Sequence, residues 1–373
     1  MSGDDRRLVV VGLDAAPPKL LYDELIDELK FLPSIMEDRY VLRSCHPPIT
    51  IPAWAVMVTG RTPGELGLYG FRHRRPGDLS ASYIANSRLV RHPAVWDLLG
   101  KSGRRSIVVG VPPSYPPRPV RGYVVSDFIT PDHTKQYTWP PALKKELERV
   151  LGGPYIFDVV YRSEEKDRII KELWKMTRQH FKVLRYLARE KKWDFFMFVE
   201  IGVDRVQHAF WKYYDPEHPR YQGSGNRYED IIPKYYKLVD EEIGKLTECL
   251  PGNTRFMVVS DHGAKPMIGA FAINQWLEEM GYLKLKRRPE KPGVDLKPEM
   301  IDWERTKAWA WGGYYARIFI NLKGREPNGI VEPEDYDGLI EELKKDVMGI
   351  RGPGGERWKN MAYRPEELYP EVR

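Results

Sequence analysis

The run Leu8-Val9-Val10-Val11-Gly12-Leu13-Asp14 decides how this chain is expected to fold. Its apolar residues are followed at once by a carboxylate. A continuous apolar run of this length is typical of a strand that is buried on both faces of a parallel sheet. In open α/β folds, the side chains that bind ligands follow the carboxyl ends of such strands. The run therefore predicts a parallel strand with Asp14 at the functional edge of the sheet.

Apolar runs and helical patterns alternate along the rest of the chain. Further strands are predicted at 106–111, 123–128, 193–201 and 255–260. Helices are predicted at 20–29, 53–59, 94–99, 164–192 and 228–250. This alternation predicts an α/β fold, namely a doubly wound, mostly parallel sheet that is flanked by helices.

The whole chain, 1–373, is predicted to be a single α/β domain. Three stretches interrupt the alternation because they are polar or rich in proline: 112–160, 213–227 and 285–300. Irregular insertions of this kind often carry specificity in enzymes. We expect these stretches to be lid or cap insertions.

Composition excludes some classes of protein and favours others. The chain of 373 residues has 42% hydrophobic and 30% charged residues, and its net charge is +6. It contains no signal peptide and no apolar stretch near the roughly 20 residues of a membrane helix, which predicts a protein without a membrane anchor. The 2 Cys show no metal-ligand spacing, which favours the cytoplasm, and the many Lys, Arg and Glu residues are typical of a thermophile.

The positive net charge favours small anionic ligands such as phosphate esters. Nucleic acid is a poorer candidate, since the chain lacks blocks of basic residues interleaved with aromatic residues. The oligomeric state is not readable from the sequence.

Six residues in four distant segments carry side chains suited to metal chemistry: Asp14, Thr50, Asp204, His208, Asp261 and His262. Carboxylates and imidazoles together bind hard or borderline divalent metals, and a threonine among them is a candidate nucleophile. Simpler interpretations exist for each residue. The aspartates could cap helices, Asp204 and His208 could form an ion pair on one helix face, and Thr50 could cap the helix predicted after Pro52.

Taken together, these segments resemble the alkaline phosphatase superfamily, specifically its type I phosphodiesterase/nucleotide pyrophosphatase branch, which includes predicted phosphohydrolases and phosphomutases. The resemblance runs from residue 8 to about residue 370. It rests on five short motifs in the expected order, and on the later segments Ile273-Asn274-Gln275-Trp276-Leu277 and Gly281-Tyr282-Leu283. The five motifs are Val11-Gly12-Leu13-Asp14, Pro47-Pro48-Ile49-Thr50-Ile51-Pro52-Ala53-Trp54, Thr59-Gly60-Arg61-Thr62-Pro63, Asp204-Arg205-Val206-Gln207-His208 and Ser260-Asp261-His262-Gly263.

The resemblance implies two divalent metal ions and a covalent phosphothreonine intermediate at Thr50. One metal would be held by Thr50 together with Asp14, Asp261 and His262, and the other by Asp204 and His208. The mixed ligands suit Zn²⁺ or Mn²⁺. The implied substrate is a small phosphate mono- or diester of nucleotide-like type, and Asn86 is a candidate phosphate contact.

One departure from the family pattern concerns the second metal. The family's third ligand there is a histidine near the C-terminus, and this sequence has no His after His262. Three explanations stay open: the chain is truncated, another residue (Glu366, Glu367 or His133) substitutes, or the second site is weak or empty. Two alternatives to hydrolysis also stay open, a phosphomutase of the same superfamily and a catalytically impaired metal-binding relative.

Overall fold

The computed structural model of the chain describes residues 7–75, 77–291 and 293–373. These residues form two compact units. The larger unit contains the chain up to Gly70, the segment Ala85–Ile268 and Arg373, and the smaller unit contains Phe71–Ile84 and Gly269–Val372. Both units fall within the stretch predicted as one domain, and the single-domain organisation stays a prediction.

The strands of the described residues are, in chain order, β1 (Arg7–Leu13), β2 (Arg72–Arg75), β3 (Asp78–Ile84), β4 (Ser106–Val109), β5 (Gly122–Val125), β6 (Thr138–Trp139), β7 (Phe195–Glu200), β8 (Thr254–Val259), β9 (Ala308–Trp311) and β10 (Arg317–Ile320). The α-helices are α1 (Leu32–Ile35), α2 (Thr50–Thr59), α3 (Pro63–Leu66), α4 (Val95–Lys101), α5 (Leu143–Leu151), α6 (Lys166–Glu190), α7 (Gly202–Tyr214), α8 (Ile231–Thr247), α9 (Ile273–Glu279), α10 (Tyr336–Gly349) and α11 (Pro365–Leu368).

The larger unit is built on a six-stranded sheet with the order β6-β5-β4-β7-β1-β8. Neighbouring strands are parallel except for the pair β5 and β6. Apolar clusters cover both faces of the sheet, and β1 contributes Val9 and Val11 to one cluster and Val10 to the other. Burial on both faces explains why the strand sequences are continuously apolar. The predicted doubly wound α/β fold is confirmed.

Most predicted elements form close to their predicted positions, with two differences. Helix α2 begins at Thr50, so Pro52 is its third residue. The first turn of a helix tolerates proline because its N–H groups have no intrahelical partners. The segment 20–29 buries its leucines as an amphipathic helix would, but its backbone forms a π-helical turn (Lys19–Glu24) and a 3₁₀ turn (Ile26–Glu28).

The smaller unit contains two antiparallel hairpins, β2–β3 and β9–β10, together with α9, α10 and α11. Its core is a separate apolar cluster that includes Leu277, Leu283, Trp309, Ile320 and Leu343. The hairpins are therefore not part of the large parallel sheet.

The three stretches predicted as insertions have different structures. The stretch 112–160 contains β5, β6 and α5, whereas 213–227 is irregular after the end of α7. Most of 285–300 has no regular structure, and Pro292 lies outside the described residues. No helix in the described ranges combines the length and the apolarity that crossing a bilayer requires.

Candidate metal centre

The carboxyl ends of three neighbouring strands meet at one edge of the large sheet. Leu13 of β1 pairs with Glu200 of β7, and Gly12 of β1 pairs with Val259 of β8. The residues that follow β1 and β8 therefore lie side by side, and α7 starts at the same edge, two residues after β7. This edge is where α/β folds place their ligands.

Three of the predicted ligands form a compact group, here called the cluster: Asp14, Asp261 and His262. One ligand atom from each lies within 4.8 Å of the others. The hydroxyl of Thr50 joins the cluster, since its Oγ1 lies 3.1 Å from Nε2 of His262 and 3.5 Å from Oδ1 of Asp14. Thr50 makes no side-chain cap on α2, so the capping interpretation of this residue is wrong.

Hydrogen bonds from neighbouring segments orient the two carboxylates. The indole of Trp54 donates to Oδ2 of Asp14 (2.7 Å), and the N–H of Ala15 donates to Oδ1 of Asp261 (3.1 Å). Ala15 has a left-handed backbone conformation (φ 58°), which a non-glycine residue adopts only at a cost of about 1 kcal/mol or more. Its carbonyl accepts from Nε2 of Gln207 (3.0 Å), so both sides of this strained residue are held.

Burial and mutual repulsion make the charged state of the cluster's carboxylates unfavourable, although the charge of His262 partly offsets this for Asp14. Burial raises the pKa of Asp14 well above its ordinary value, and the charges of Asp261 and Asp204 raise it further. Burial likewise raises the pKa of Asp261, although the N–H of Ala15 partly offsets this. A buried pair of carboxylates is stabilised by a cation, and a bound divalent metal is the usual one.

The geometry of the cluster fits such a metal. With bonds of about 2.0–2.1 Å, two ligands of a tetrahedral ion lie about 3.4 Å apart. Nε2 of His262 lies 3.3 Å from Oδ2 of Asp261, 3.1 Å from Oγ1 of Thr50 and 3.8 Å from Oδ1 of Asp14. Oδ2 of Asp261 is also buried without a hydrogen-bond partner among the described residues. An unsatisfied buried carboxylate oxygen of this kind is what a metal would bind.

Asp204 and His208 lie one turn apart on α7 and are called the helix pair below. Nε2 of His208 is 3.3 Å from Oδ1 of Asp204, a separation that also suits two ligands of one ion. Burial alone would raise the pKa of Asp204, but the hydrogen bond and charge of His208 and the charge of Arg205 outweigh it, and the pKa is lowered. Protein charges therefore compensate the carboxylate of the helix pair more fully than those of the cluster.

None of the three residues considered as a substitute for the absent histidine is observed in a ligand group within the described ranges. Glu367 is engaged elsewhere, because it accepts from Nζ of Lys344 (2.5 Å) and from the N–H of Arg364 (2.8 Å). Glu366 and His133 are exposed. Within the described ranges, three His, Cys, Asp or Glu residues lie close enough together to share a metal at the cluster. The helix pair has no third such residue within that distance among the described residues. A third ligand for the helix pair thus stays a prediction.

Asn86 has a local role in the structure. Its Oδ1 accepts from the N–H of Arg88 (3.0 Å) and caps the short 3₁₀ turn Ser87–Leu89. Its predicted contact with a phosphate stays a prediction.

Several residues that shape the site were not predicted from the sequence. Trp54 lies inside a quoted motif, but its bond to Asp14 depends on how α2 packs against β1. Arg205 lies between the two residues of the helix pair, yet its other partner, Asp158, is 47 residues away. Such contacts have no local sequence signal.

Solved structures show which fold this architecture belongs to. Phosphonoacetate hydrolase from Sinorhizobium meliloti 1021, in complex with phosphonoacetate, is 17% identical, with a TM-score of 0.57, and the match covers 94% of this chain and 74% of that chain. The alkaline phosphatase PafA is 14% identical, with a TM-score of 0.55, and the match covers 97% of this chain and 84% of that chain. At these identities the similarity concerns the fold, which is that of the alkaline phosphatase superfamily.

The sequence itself identifies the family. Residues 8–372 match the family described as type I phosphodiesterase / nucleotide pyrophosphatase, and the chain belongs to this family. No curated protein sequence matches the chain. The resemblance seen in the sequence motifs is confirmed.

Proposed function

We propose that the protein is a metal-dependent phosphohydrolase that cleaves phosphate mono- or diesters through a covalent phosphothreonine at Thr50. The observation that carries this proposal is the position of the Thr50 hydroxyl, 3.1 Å from His262 within a cluster of buried carboxylates. Membership of the phosphodiesterase/pyrophosphatase family supports the same chemistry.

Thr50 is well placed for an anionic substrate. It is the first residue of α2, where N–H groups without intrahelical partners and the helix dipole favour a phosphoryl oxygen. In the first step, the Thr50 hydroxyl would lose its proton as Oγ1 attacks phosphorus, the ester P–O bond would break, and the leaving oxygen would take up a proton. In the second step, water would attack the phosphothreonine, releasing phosphate from a monoester substrate or a phosphomonoester from a diester, and restoring the Thr50 hydroxyl.

The residues that would hold metal are the cluster with Thr50 for one ion and the helix pair for a second ion, and Zn²⁺ or Mn²⁺ suits their mixed oxygen and nitrogen donors. The metals would supply Lewis-acid chemistry, lowering the pKa of a bound hydroxyl or water and neutralising charge on the phosphoryl group. Ala15, Trp54 and Gln207 would keep the protein ligands in place.

The proposed substrates are small nucleotide-like phosphate esters. The net charge of +6 and the family both agree with an anionic small-molecule substrate.

Thr50→Ala tests the proposed nucleophile. We expect turnover of bis-p-nitrophenyl phosphate and p-nitrophenyl phosphate to fall by roughly three orders of magnitude or more, because removing a nucleophile removes the covalent route. Thr50→Ser should retain part of the activity and form a phosphoserine detectable by mass spectrometry. The matched control is Thr59→Ala at the other end of α2, where the hydroxyl donates to the carbonyl of Ala55 and accepts from the N–H of Arg61, both outside the cluster. Wild-type turnover in Thr50→Ala would disprove the covalent mechanism.

Measuring free phosphate with a sugar phosphate as substrate separates hydrolysis from phosphoryl transfer within one molecule, because p-nitrophenyl phosphate has no second hydroxyl to accept the phosphoryl group. A hydrolase releases one phosphate for each monoester consumed, whereas a phosphomutase converts a sugar phosphate to its isomer without free phosphate.

A further inference from the structure

Arg205 joins the helix pair to a loop that lies far from it in sequence. Its Nη1 donates to Oδ2 of Asp204 (2.6 Å), while Nε and Nη2 donate to the two oxygens of Asp158 (2.7 and 2.8 Å). Asp158 belongs to the loop 152–165 between α5 and α6. We propose that Arg205 is a positioning residue that fixes Asp204 for metal binding and couples that metal site to the loop. The inference rests on the proposed metal-binding role of the helix pair.

The two oxygens of Asp204 have different partners. Oδ2 is held by the guanidinium of Arg205, whereas Oδ1 lies 3.3 Å from Nε2 of His208. The first bond fixes the rotation of the carboxylate, and the second oxygen is left on the side where His208 would share a metal. Ligating carboxylates in metalloproteins are commonly oriented in this way by a hydrogen bond to the other oxygen.

Two aromatic rings pack against the guanidinium group of Arg205 and restrict its movement. The rings of Phe128 and Tyr161 each lie 4.8 Å from the guanidinium carbon of Arg205. Tyr161 also stacks on the imidazole of His208, with ring centroids 5.2 Å apart and planes 24° apart. One aromatic side chain of the loop therefore contacts both the positioning residue and the candidate ligand.

The charge and geometry of this position favour an arginine over a lysine. The Arg205 side chain is only 6% exposed, and the carboxylates of Asp158 and Asp204 balance its charge. Guanidinium stays charged at all ordinary pH values and presents a rigid fork that matches carboxylate oxygens. A lysine would keep the charge but not the three bonds to two separate carboxylates.

Coupling between the loop and the metal follows from thermodynamic reciprocity. If the Asp158–Arg205 bonds improve metal binding at Asp204, metal binding must stabilise the same bonds by an equal free energy. The backbone of the loop should therefore become more protected when the helix pair binds metal.

Binding of Zn²⁺ alone, without substrate, tests the inference. Zn²⁺ binding is measured by equilibrium dialysis and elemental analysis for the wild type, Arg205→Met, Arg205→Lys and Asp158→Asn. We expect the wild type to bind two Zn²⁺ and Arg205→Met to bind the second Zn²⁺ roughly 10–100-fold more weakly, the usual effect of losing such a partner. Arg205→Lys should recover part of the affinity, and Asp158→Asn should show a smaller loss.

The matched control is Arg185→Met. Arg185 forms an ion pair with the buried Glu242 (2.5 Å) between α6 and α8, so this variant also loses an ion pair with a buried carboxylate. Arg185→Met should bind both Zn²⁺ ions as the wild type does. Amide hydrogen exchange of the loop supplies a second readout, with Zn²⁺ protecting residues 156–163 in the wild type and in Arg185→Met but not in Arg205→Met.

Each outcome decides a different point. Unchanged or tighter binding of the second Zn²⁺ to Arg205→Met would overturn the inference while leaving the two-metal proposal intact. A wild type that binds a single Zn²⁺ would overturn both the metal role of the helix pair and the inference. If Arg205→Met does not fold, Arg205→Lys and Asp158→Asn carry the test, and wild-type Zn²⁺ affinity in both would reject the positioning role.

Discussion

The cluster takes its three side chains from the ends of two strands, whereas the helix pair takes both of its side chains from one helix. The cluster and the helix pair also differ in how the charges of their buried carboxylates are compensated. Asp14 and Asp261 are buried beside the imidazole of His262 rather than bonded to an arginine within the described residues, and their pKa values are raised. Asp204 is equally buried but bonds to Arg205, and its pKa is lowered. If the cluster holds the proposed metal, that ion would supply much of its charge balance, whereas Arg205 and His208 already balance the charge of Asp204.

The largest expected effect concerns the affinity of the cluster for metal. Asp261→Asn replaces the oxygen that has no hydrogen-bond partner by an amide nitrogen, which does not bind a cation. We expect the affinity for the first Zn²⁺ to fall more than about 100-fold, since even residues that only orient a ligand contribute 10–100-fold. Isothermal titration with Zn²⁺ measures this change. If Asp261→Asn weakened Zn²⁺ binding equally at the cluster and at the helix pair, the two groups would not be independent sites.

A fourth buried carboxylate, Glu200, tests the electrostatic argument without any metal. Glu200 ends β7, and its Oε1 accepts from the N–H of Gly202 and from the hydroxyls of Thr177 and Tyr235, while Oε2 has no partner among the described residues. Burial raises its pKa from 4.5 to about 7. The folded state therefore keeps the proton of Glu200 between pH 4.5 and pH 7, where the unfolded chain has released it, so this residue's contribution to stability is lost as the pH rises through that window.

Glu200→Gln removes this titration. The free energy of unfolding of the variant, relative to the wild type, should rise by up to about 3 kcal/mol between pH 5 and pH 8, since each pKa unit corresponds to about 1.4 kcal/mol. Urea unfolding at several pH values in the presence of a chelator measures the difference. A difference that does not change with pH would show that Glu200 is not protonated in the folded protein near neutrality.

The same logic predicts opposite stability changes for two asparagine substitutions in metal-free protein. Asp261→Asn removes an uncompensated buried charge and should raise the free energy of unfolding at pH 8 by about 1–3 kcal/mol. Asp204→Asn weakens the bond to a buried guanidinium and should lower it by about 1–3 kcal/mol. Chemical denaturation in the presence of a chelator measures both free energies of unfolding. If both variants shifted the free energy in the same direction, the proposed difference in charge compensation between the cluster and the helix pair would be wrong.

The main geometry of the site was predictable because it follows from strand ends. The apolar runs of β1 and β8 stop beside Asp14 and Asp261, and parallel strands bring their carboxyl ends to one edge. The spacing of Asp204 and His208 places both on one face of a helix. The charge compensation was not predictable, because the bond between Arg205 and a loop residue depends on tertiary packing. For the same reason, the sequence did not reveal the division of the chain into two compact units.

The smallest effect is expected where a neutral hydrogen bond supports the cluster. The hydroxyl of Ser44 donates to the main-chain carbonyl of Asp261 (2.6 Å). Ser44→Ala should lower the free energy of unfolding by about 1 kcal/mol, the usual contribution of one such bond, and should weaken the first Zn²⁺ site by at most about tenfold.

Ser34→Ala is the matched control, since the Ser34 hydroxyl makes a bond of the same length to the carbonyl of Phe31 at an exposed position. It should leave Zn²⁺ affinity unchanged, because this bond does not contact the cluster. Thermal unfolding with and without Zn²⁺ measures both variants, and Zn²⁺ should stabilise Ser44→Ala less than Ser34→Ala because a bound ion stabilises the folded state in proportion to the logarithm of its affinity. Equal stabilisation of the two variants would mean that the position of Asp261 is determined by the bond from Ala15 alone, and not by the segment that carries Ser44.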